Sequence, residues 1–382
     1  MPPGSHSSPM SVLSVNCGSS SIKLAVFETH GAECLFRIQL DLNGRTYDET
    51  MTEALNQLFV WSHQAQPIEA IGHRIVHGGE IFQKPTVINQ EVIDGITSVS
   101  SLAPLHNPIG LLGIKRLQEA FPEQTHVAVF DTAFHQTLPE RAYLYAIPQK
   151  LYRDYGVRRY GFHGLSHRFV SQEAEKRLSL PPSTSRIITA HLGNGCSACA
   201  VLAGKSIETT MGLSPSEGLV MGTRSGDVDP GLHSFLAEKL GLNLSEIQSL
   251  LNNESGLLGL SELSSDVREL EAASDRGHAQ ASLALEIFAY RLARQIAGLC
   301  VPLNGLDALV FAGGIGENSS RLRQQVAQWL SHLGLELDDT KNQNHGIHHN
   351  GIISTETKPA IMVIPTDEES LIARETAQKM SH

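Results

Sequence analysis

The stretch SVLSVNCGSSSIKLAVF at residues 11–27 reads as strand, tight turn, strand: VLSV runs into the small residues Asn16, Cys17, Gly18, Ser19, Ser20 and Ser21 and leaves through IKLAVF. The same grammar returns in RIITAHLGNGCSACAVL at residues 186–202, with Gly193, Asn194, Gly195, Cys196 and Ser197 in the turn. Asn16 and Asn194 lie 178 positions apart, close to half of the 382 residues. That spacing predicts two similar domains, each opening with a hairpin whose turn is rich in backbone N–H groups, hydroxyls and glycine.

A third glycine turn, Gly313-Gly314-Ile315-Gly316-Glu317-Asn318, follows the apolar run 306–312 and precedes a helical stretch at 321–333. Upstream, Leu285, Phe288, Leu292, Ile296 and Leu299 recur at helical spacing, with Pro302 expected to end the helix. NQNHGIHHNG at 342–351 is expected as a surface loop or hairpin with solvated histidines. Apolar runs alternating with helical stretches argue for an α/β protein. Pro148 and the polar residues around it place a domain boundary between 146 and 154.

Composition narrows the classes. Apolar residues are 41% and charged residues 18%, which is globular rather than disordered or coiled-coil. The net charge of −11 argues against a nucleic-acid or anionic-membrane partner, so any anion site has to be local. The most apolar segment, 297–315, carries Pro302, Asn304 and Asp307 and is no membrane span. MPPGSHSSPM at the start lacks a basic n-region and an apolar h-region, so a cytoplasmic location is expected. Five scattered thiols, Cys17, Cys34, Cys196, Cys199 and Cys300, fit a reducing compartment. Cys196 and Cys199 are expected as buried structural thiols rather than zinc ligands, because no second pair follows at metal spacing.

The glycine turns fit neither familiar nucleotide motif. Ser319 stands where a dinucleotide fingerprint needs its third glycine, and Cys199 where a P-loop ending in Gly204-Lys205-Ser206 needs its first. Two hairpin turns and one strand-to-helix turn, each offering N–H groups in an acidic protein, suggest a polyphosphate. Around them lie HRIVHGG (73–79), FDTAFH (130–135), GFHG (161–164) and GTRSGDVDPG (222–231), with cations and carboxylates set among small residues. Such a set suits phosphoryl transfer, where fixed charge does most of the work.

VNCGSSSIK, HRIVHGGE, APLHNP, FDTAFHQTLP, YGFHGLSH, HLGNGCS, MGTRSGDVDPG, SSDVREL, GGIGEN and PTDEE occur in one order from residue 15 to 369. In these motifs the chain resembles the acetate kinase family, short-chain acyl kinases among the hexokinase-, actin- and chaperone-like ATPases. The resemblance implies two duplicated ribonuclease H-like α/β domains facing an ATP cleft: 1–150, completed by a C-terminal helix at 367–382, and 151–366. It implies reversible transfer of the ATP γ-phosphoryl group to acetate or, alternatively, propionate, with Mg²⁺ or Mn²⁺, in a homodimer. A sugar kinase is the competing enzyme, though Arg74 and Arg224 favour a carboxylate over a hydroxyl acceptor. A nucleotide-binding module without catalysis is the reading from another class.

Residue by residue, the resemblance implies that Asn16 and Glu368 hold the metal, with Glu368 preferred to Glu369, and that Lys23 follows the first phosphate hairpin. Arg74 and Arg224 would bind the acyl carboxylate and brace the phosphoryl group, while His163 donates a hydrogen bond to it. Asp131 would act as the active-site acid or base, expected to orient Arg224 or His163 as much as to move protons. Nucleotide contacts carry over to His191, Leu192, Gly193, Asn194, Gly195, Asp266, Val267, Arg268, Gly314, Ile315, Gly316, Glu317 and Asn318. Val76, Leu105, Phe162 and Pro215 would line the acyl pocket. Asp367 stands where the family usually has Asn, an added carboxylate expected to alter metal affinity.

Overall fold

In the computed structural model, which describes residues 10–18, 21–29, 33–63, 67–104, 106–355 and 359–381, both hairpins form. β1 (Ser11–Cys17) pairs antiparallel with β2 (Ser21–Glu28), Asn16 opposite Lys23. β3 (Glu33–Asp41), β4 (Ala70–Ile75), β5 (Thr86–Val87) and β6 (Thr125–Phe130) complete a sheet of order β3-β2-β1-β4-β6-β5. Within it β1, β4 and β6 are parallel neighbours.

The second hairpin joins β7 (Arg186–Leu192) to β8 (Cys196–Leu202), antiparallel, and β9 (Lys205–Thr209) extends it. β10 (Ala308–Ala312) and β11 (Ala360–Val363) pair parallel on the other side of β7, giving the order β9-β8-β7-β10-β11. The five-strand ribonuclease H-like pattern of order and direction is therefore present twice, and the α/β expectation holds.

Contacts divide the chain into two units, one reaching to Gln136 and taking in the residues from Asp367 onward, the other Thr137–Thr366. In unit 1 the two-residue period of β1 serves two layers. Leu13, Val15 and Cys17 pack with Met51, Ala54, Leu55 and Leu58 of the helix Tyr47–Ser62 and with Leu117 of the helix Asn107–Ala120. Val12, on the alternate face, packs with Ala25, Phe27, Ala70 and Ala373 of the helix Glu368–Met380. Each buried Val, Leu, Met or Phe side chain of this set contributes about 1.5–3 kcal/mol.

In unit 2 the predicted apolar stripe is the buried face of a 25-residue helix, Ala279–Leu303, packed against β7 and β8. Pro302 lies inside its last turn, and the helix ends at Asn304, whose backbone is left-handed. A proline so near the end removes one N–H donor without breaking the preceding turns. Residues 342–351 depart from the expected loop or hairpin: they finish the short helix Asp339–Gln343 and form a 3₁₀ turn, Ile347–His349. Cys196 and Cys199 are fully buried in β8, and burial pushes both thiols up to about 12. Among the described residues no helix is long and apolar enough to cross a membrane.

Candidate active site

Side chains leaving the carboxyl ends of parallel strands converge, which is where open α/β sheets bind ligands. In unit 1 these ends carry Asn16, Arg74 and Asp131 from neighbouring strands. Arg74 donates from Nε to Asp131 Oδ2 at 3.0 Å, with a second contact from Nη2 to the same oxygen, and from Nη1 to Asn16 Oδ1 at 3.0 Å. Glu368, in the first turn of the helix Glu368–Met380, brings Oε2 within 3.8 Å of Arg74 Nε. Lys23 Nζ lies 3.8 Å from Glu369. Asp131 is 1% exposed. Burial alone would lower the Arg74 pKa, but Asp131 and Glu368 outweigh it and hold the guanidinium firmly charged. The sequence did not pair Asp131 with Arg74; 57 residues separate them.

Asn16, Glu368 and Glu369 offer hard oxygen donors beside Arg74 and Lys23, with the three carboxylates of Asp131, Glu368 and Glu369 against two cations. That donor set and sign fit a hard divalent cation such as Mg²⁺ or Mn²⁺. Asp367 is turned elsewhere: Oδ1 accepts from Arg37 Nη2 at 3.3 Å and from the Ser370 N–H at 3.3 Å, capping the helix that carries Glu368.

In unit 2 the corresponding strand ends carry His191, the turn at Gly313 and Thr366. Gly313 has φ +76°, and a Cβ there would come within 2.7 Å of the Leu192 carbonyl, so only glycine fits. The Glu317 carboxylate accepts from the Gly313 N–H at 2.9 Å and the Thr366 N–H at 3.1 Å. Thr366 donates to Ser166, whose hydroxyl lies 2.7 Å from His191 Nδ1. Arg323 pins the turn from behind, donating to the carbonyls of Gly316 and Glu317 and, from Nε, to Asn342. Burial lowers its pKa to about 10. Sequence reasoning missed Arg323, although it stands in the helical stretch directly after GGIGEN.

A cavity of about 800 Å³ lies along Glu317 and Asn318 on the His345 side. A second, of about 660 Å³ and within the usual range of ligand pockets, gathers Gly193, Asn194, Asp266, Val267, Arg268, Gly314, Ile315 and Asn318. Ser265, Glu271 and Ser319 also line it. Asp266 caps the helix Val267–Asp275 and pairs with Arg268 at 2.6 Å. Of the other nucleotide candidates, Leu192 and Gly316 are buried, Glu317 is engaged on backbone N–H groups, and Lys23 belongs to unit 1.

Gly195 faces a different neighbourhood. A Cβ there would lie 3.3 Å from Arg224 Nη1 and 3.5 Å from His163 Nε2, so the missing side chain leaves room between a guanidinium and an imidazole. Arg224 donates from Nη1 to the Pro215 carbonyl at 3.0 Å, and its burial lowers its pKa. His163 has left-handed backbone, φ +56°, at the start of the helix Gly164–Leu178, a strained conformation of the kind that functional residues carry. Phe162 is buried beside it in sequence, and Val76 is buried in unit 1 just after β4. Leu105 lies outside the described residues.

The sequence profile of the acetokinase family matches residues 36–374. An acetate kinase of Deinococcus radiodurans is 48% identical over 389 residues, covering 96% of this chain and 98% of its own. Among solved structures, a propionate kinase from Francisella tularensis has a TM-score of 0.90 at 42% identity, over 97% of this chain and 99% of that one. Porphyromonas gingivalis acetate kinase has a TM-score of 0.88 at 38% identity, over 97% and 100%. With sequence and fold matched over nearly its whole length, the chain belongs to the acetokinase family.

Proposed function

We propose that this protein transfers the γ-phosphoryl group of ATP reversibly to acetate, giving acetyl phosphate and ADP, with Mg²⁺ as cofactor and Mn²⁺ as an alternative. The observation that carries the reading is the Arg74 cluster: a partly buried guanidinium fixed by the buried Asp131 and Asn16 at three adjoining strand ends. A loose phosphoryl transition state needs charge held in place more than covalent help. One acetate oxygen forms its bond to phosphorus as the bond to the β,γ-bridging oxygen breaks, and acetate needs no base because it is already ionised.

In this reading Arg74 and Arg224 bind the carboxylate and brace the moving phosphoryl group, and His163 donates to its oxygens. Asp131 keeps Arg74 oriented and charged. Asn16 and Glu368 would hold the metal, which when bound neutralises phosphate charge. The cavity in unit 2 takes the nucleotide, with Asp266 and Arg268 at the ribose or adenine. Val76, Phe162, Pro215 and Leu105 would face the acyl group. One methylene is worth about 1–3 kcal/mol in such a pocket, so acetate over propionate is a preference rather than an exclusion.

The same proposal includes a cytoplasmic homodimer. Phe235, Leu240 and Leu244, each more than half exposed, offer unit 2 an apolar surface for a second copy, and sedimentation equilibrium tests it.

The test of activity is an assay with Mg²⁺, ATP and acetate, propionate, butyrate or glucose, with hydroxylamine trapping any acyl phosphate. Hydroxamate formed fastest from acetate is expected. ADP release with glucose and no hydroxamate would defeat the reading.

A further inference from the structure

We propose that Thr189, His167 and Ser197 form a hydrogen-bond relay that fixes the tautomer of His163, so that its Nε2 carries the proton. This rests on the role proposed above for His163 as a donor to the phosphoryl group.

The relay is continuous and buried. Thr189 Oγ1 lies 2.7 Å from His167 Nδ1, His167 Nε2 lies 2.8 Å from Ser197 Oγ, and Ser197 Oγ lies 2.8 Å from His163 Nδ1. Thr189, His167 and Ser197 are all fully buried. The fold brings them together from β7, β8 and one helix, His167 standing one turn after His163 in the helix Gly164–Leu178.

The direction of every proton follows from the end of the chain. The Thr189 hydroxyl has one side-chain partner among the described residues, His167 Nδ1. A buried hydroxyl proton without an acceptor is costly, so Thr189 donates and His167 Nδ1 accepts. A neutral imidazole then carries its proton on Nε2, which His167 gives to Ser197 Oγ. The one hydrogen of Ser197 is left for His163 Nδ1. His163 therefore accepts at Nδ1 and is protonated at Nε2.

That nitrogen is the one on the Gly195 side, close to Arg224 Nη1. The relay thus presents an N–H where the opposite tautomer would present a lone pair to an anionic oxygen. Making His163 an imidazolium would turn Nδ1 into a donor to Ser197 Oγ, which already accepts from His167, and would leave the buried Ser197 hydroxyl proton without its acceptor in the relay. Around the ring stand Arg224, His191 with its ring centroid 4.3 Å away, and His167, and the Arg224 guanidinium disfavours a second cation there. Ser197, His167 and Thr189 act through His163 and are positioning residues.

The test reads the tautomer directly, in protein labelled with ¹⁵N-histidine, by two-bond nitrogen–proton correlation, with His163→Gln identifying the His163 signals. The wild type is expected to be protonated at Nε2. Thr189→Val keeps the β-branched shape and removes the hydroxyl; mixed tautomers at His163 and a kcat about tenfold lower, with KM for ATP unchanged, are expected. Thr189→Ser should restore both. Protonation at Nδ1 in the wild type overturns the relay without any variant having to fold, and so does a Thr189→Val protein unchanged in tautomer and kcat. Full activity of His163→Gln would instead remove the catalytic role of His163, while the tautomer measurement still judges the relay.

Discussion

Units 1 and 2 repeat one sheet, with five strands in the same order and the same directions, and finish it differently. Where β1, β4 and β6 end, unit 1 places an amide, a guanidinium and a carboxylate, bonded to one another. Where β7, β10 and β11 end, unit 2 places an imidazole, a glycine turn and a threonine, with Glu317 holding backbone N–H groups. Unit 1 therefore bonds its charged side chains to one another, whereas unit 2 spends its carboxylate on backbone N–H groups and links hydroxyls to imidazoles. A duplicated scaffold fixes where ligands are met; the few residues just past the strands decide which chemistry is offered there.

The largest test of this division is Arg74→Ala. It removes the unit 1 cation and leaves Asp131 buried without that partner, so kcat should fall by roughly 10³ or more. ADP affinity by calorimetry should stay within twofold, because the cavity proposed for the nucleotide belongs to unit 2. A parallel loss of ADP binding would break the division.

Gly313→Ala is the counterpart in unit 2. A Cβ at φ +76° against the Leu192 carbonyl should displace the turn and weaken ADP binding by at least about tenfold. Should ADP binding survive while kcat collapses, the turn would belong to the chemistry rather than to the nucleotide.

Acid should find unit 1 sensitive at β4 and β6. His126 donates from Nε2 to the Phe121 carbonyl, so its Nδ1 accepts from His73 Nε2, and both rings are neutral. Burial lowers both pKa values, for His73 with help from His126. Stability from the pair is present above about pH 6.5, the unfolded value, and is lost as pH falls below it, by at most about 1.4 kcal/mol per pH unit for each ring. Hydrogen-exchange protection factors in β4 and β6, corrected for the slower intrinsic exchange at acid pH, should fall between pH 7 and 5, and a His73→Leu/His126→Leu protein should flatten that trend. A trend that survives the double substitution would assign the acid response to other groups.

The smallest effect is expected for Arg268→Ala. Its side chain is 87% exposed and paired with Asp266 at the pocket rim, so KM for ATP should rise about two- to fivefold with KM for acetate unchanged. A shift in acetate KM would blur the line between the units.

Both hairpins and the strand–glycine turn–helix at 308–318 are legible in the sequence because their signals are local: apolar alternation broken by residues that tolerate tight turns. The duplication is legible for the same reason, twice over. The ion pair of Arg74 with Asp131, the contact of Ser197 with His163 and the anchoring of the glycine turn by Arg323 are not. Their partners are distant in the chain, and an isolated Arg, Ser or Asp carries no mark of the strand that will deliver its neighbour. β5, two residues long at a sheet edge, has no period to read. The helical turns at 339–349 were hidden because polar residues and glycines signal a loop until Arg323 fastens Asn342 and His345.

Helix Glu368–Met380 belongs to unit 1 yet follows all of unit 2 in the chain. During synthesis the ribosome therefore delivers the whole of Thr137–Thr366 before the first sheet receives the layer that covers Val12, Ala25 and Ala70. Unit 2, uninterrupted, is free to mature first, while unit 1 waits with an apolar face bare. The same late segment brings Glu368 to Arg74. A nascent chain that stops short lacks both the cover for its core and the carboxylate beside Arg74, so unfinished copies carry the apolar face that proteases recognise.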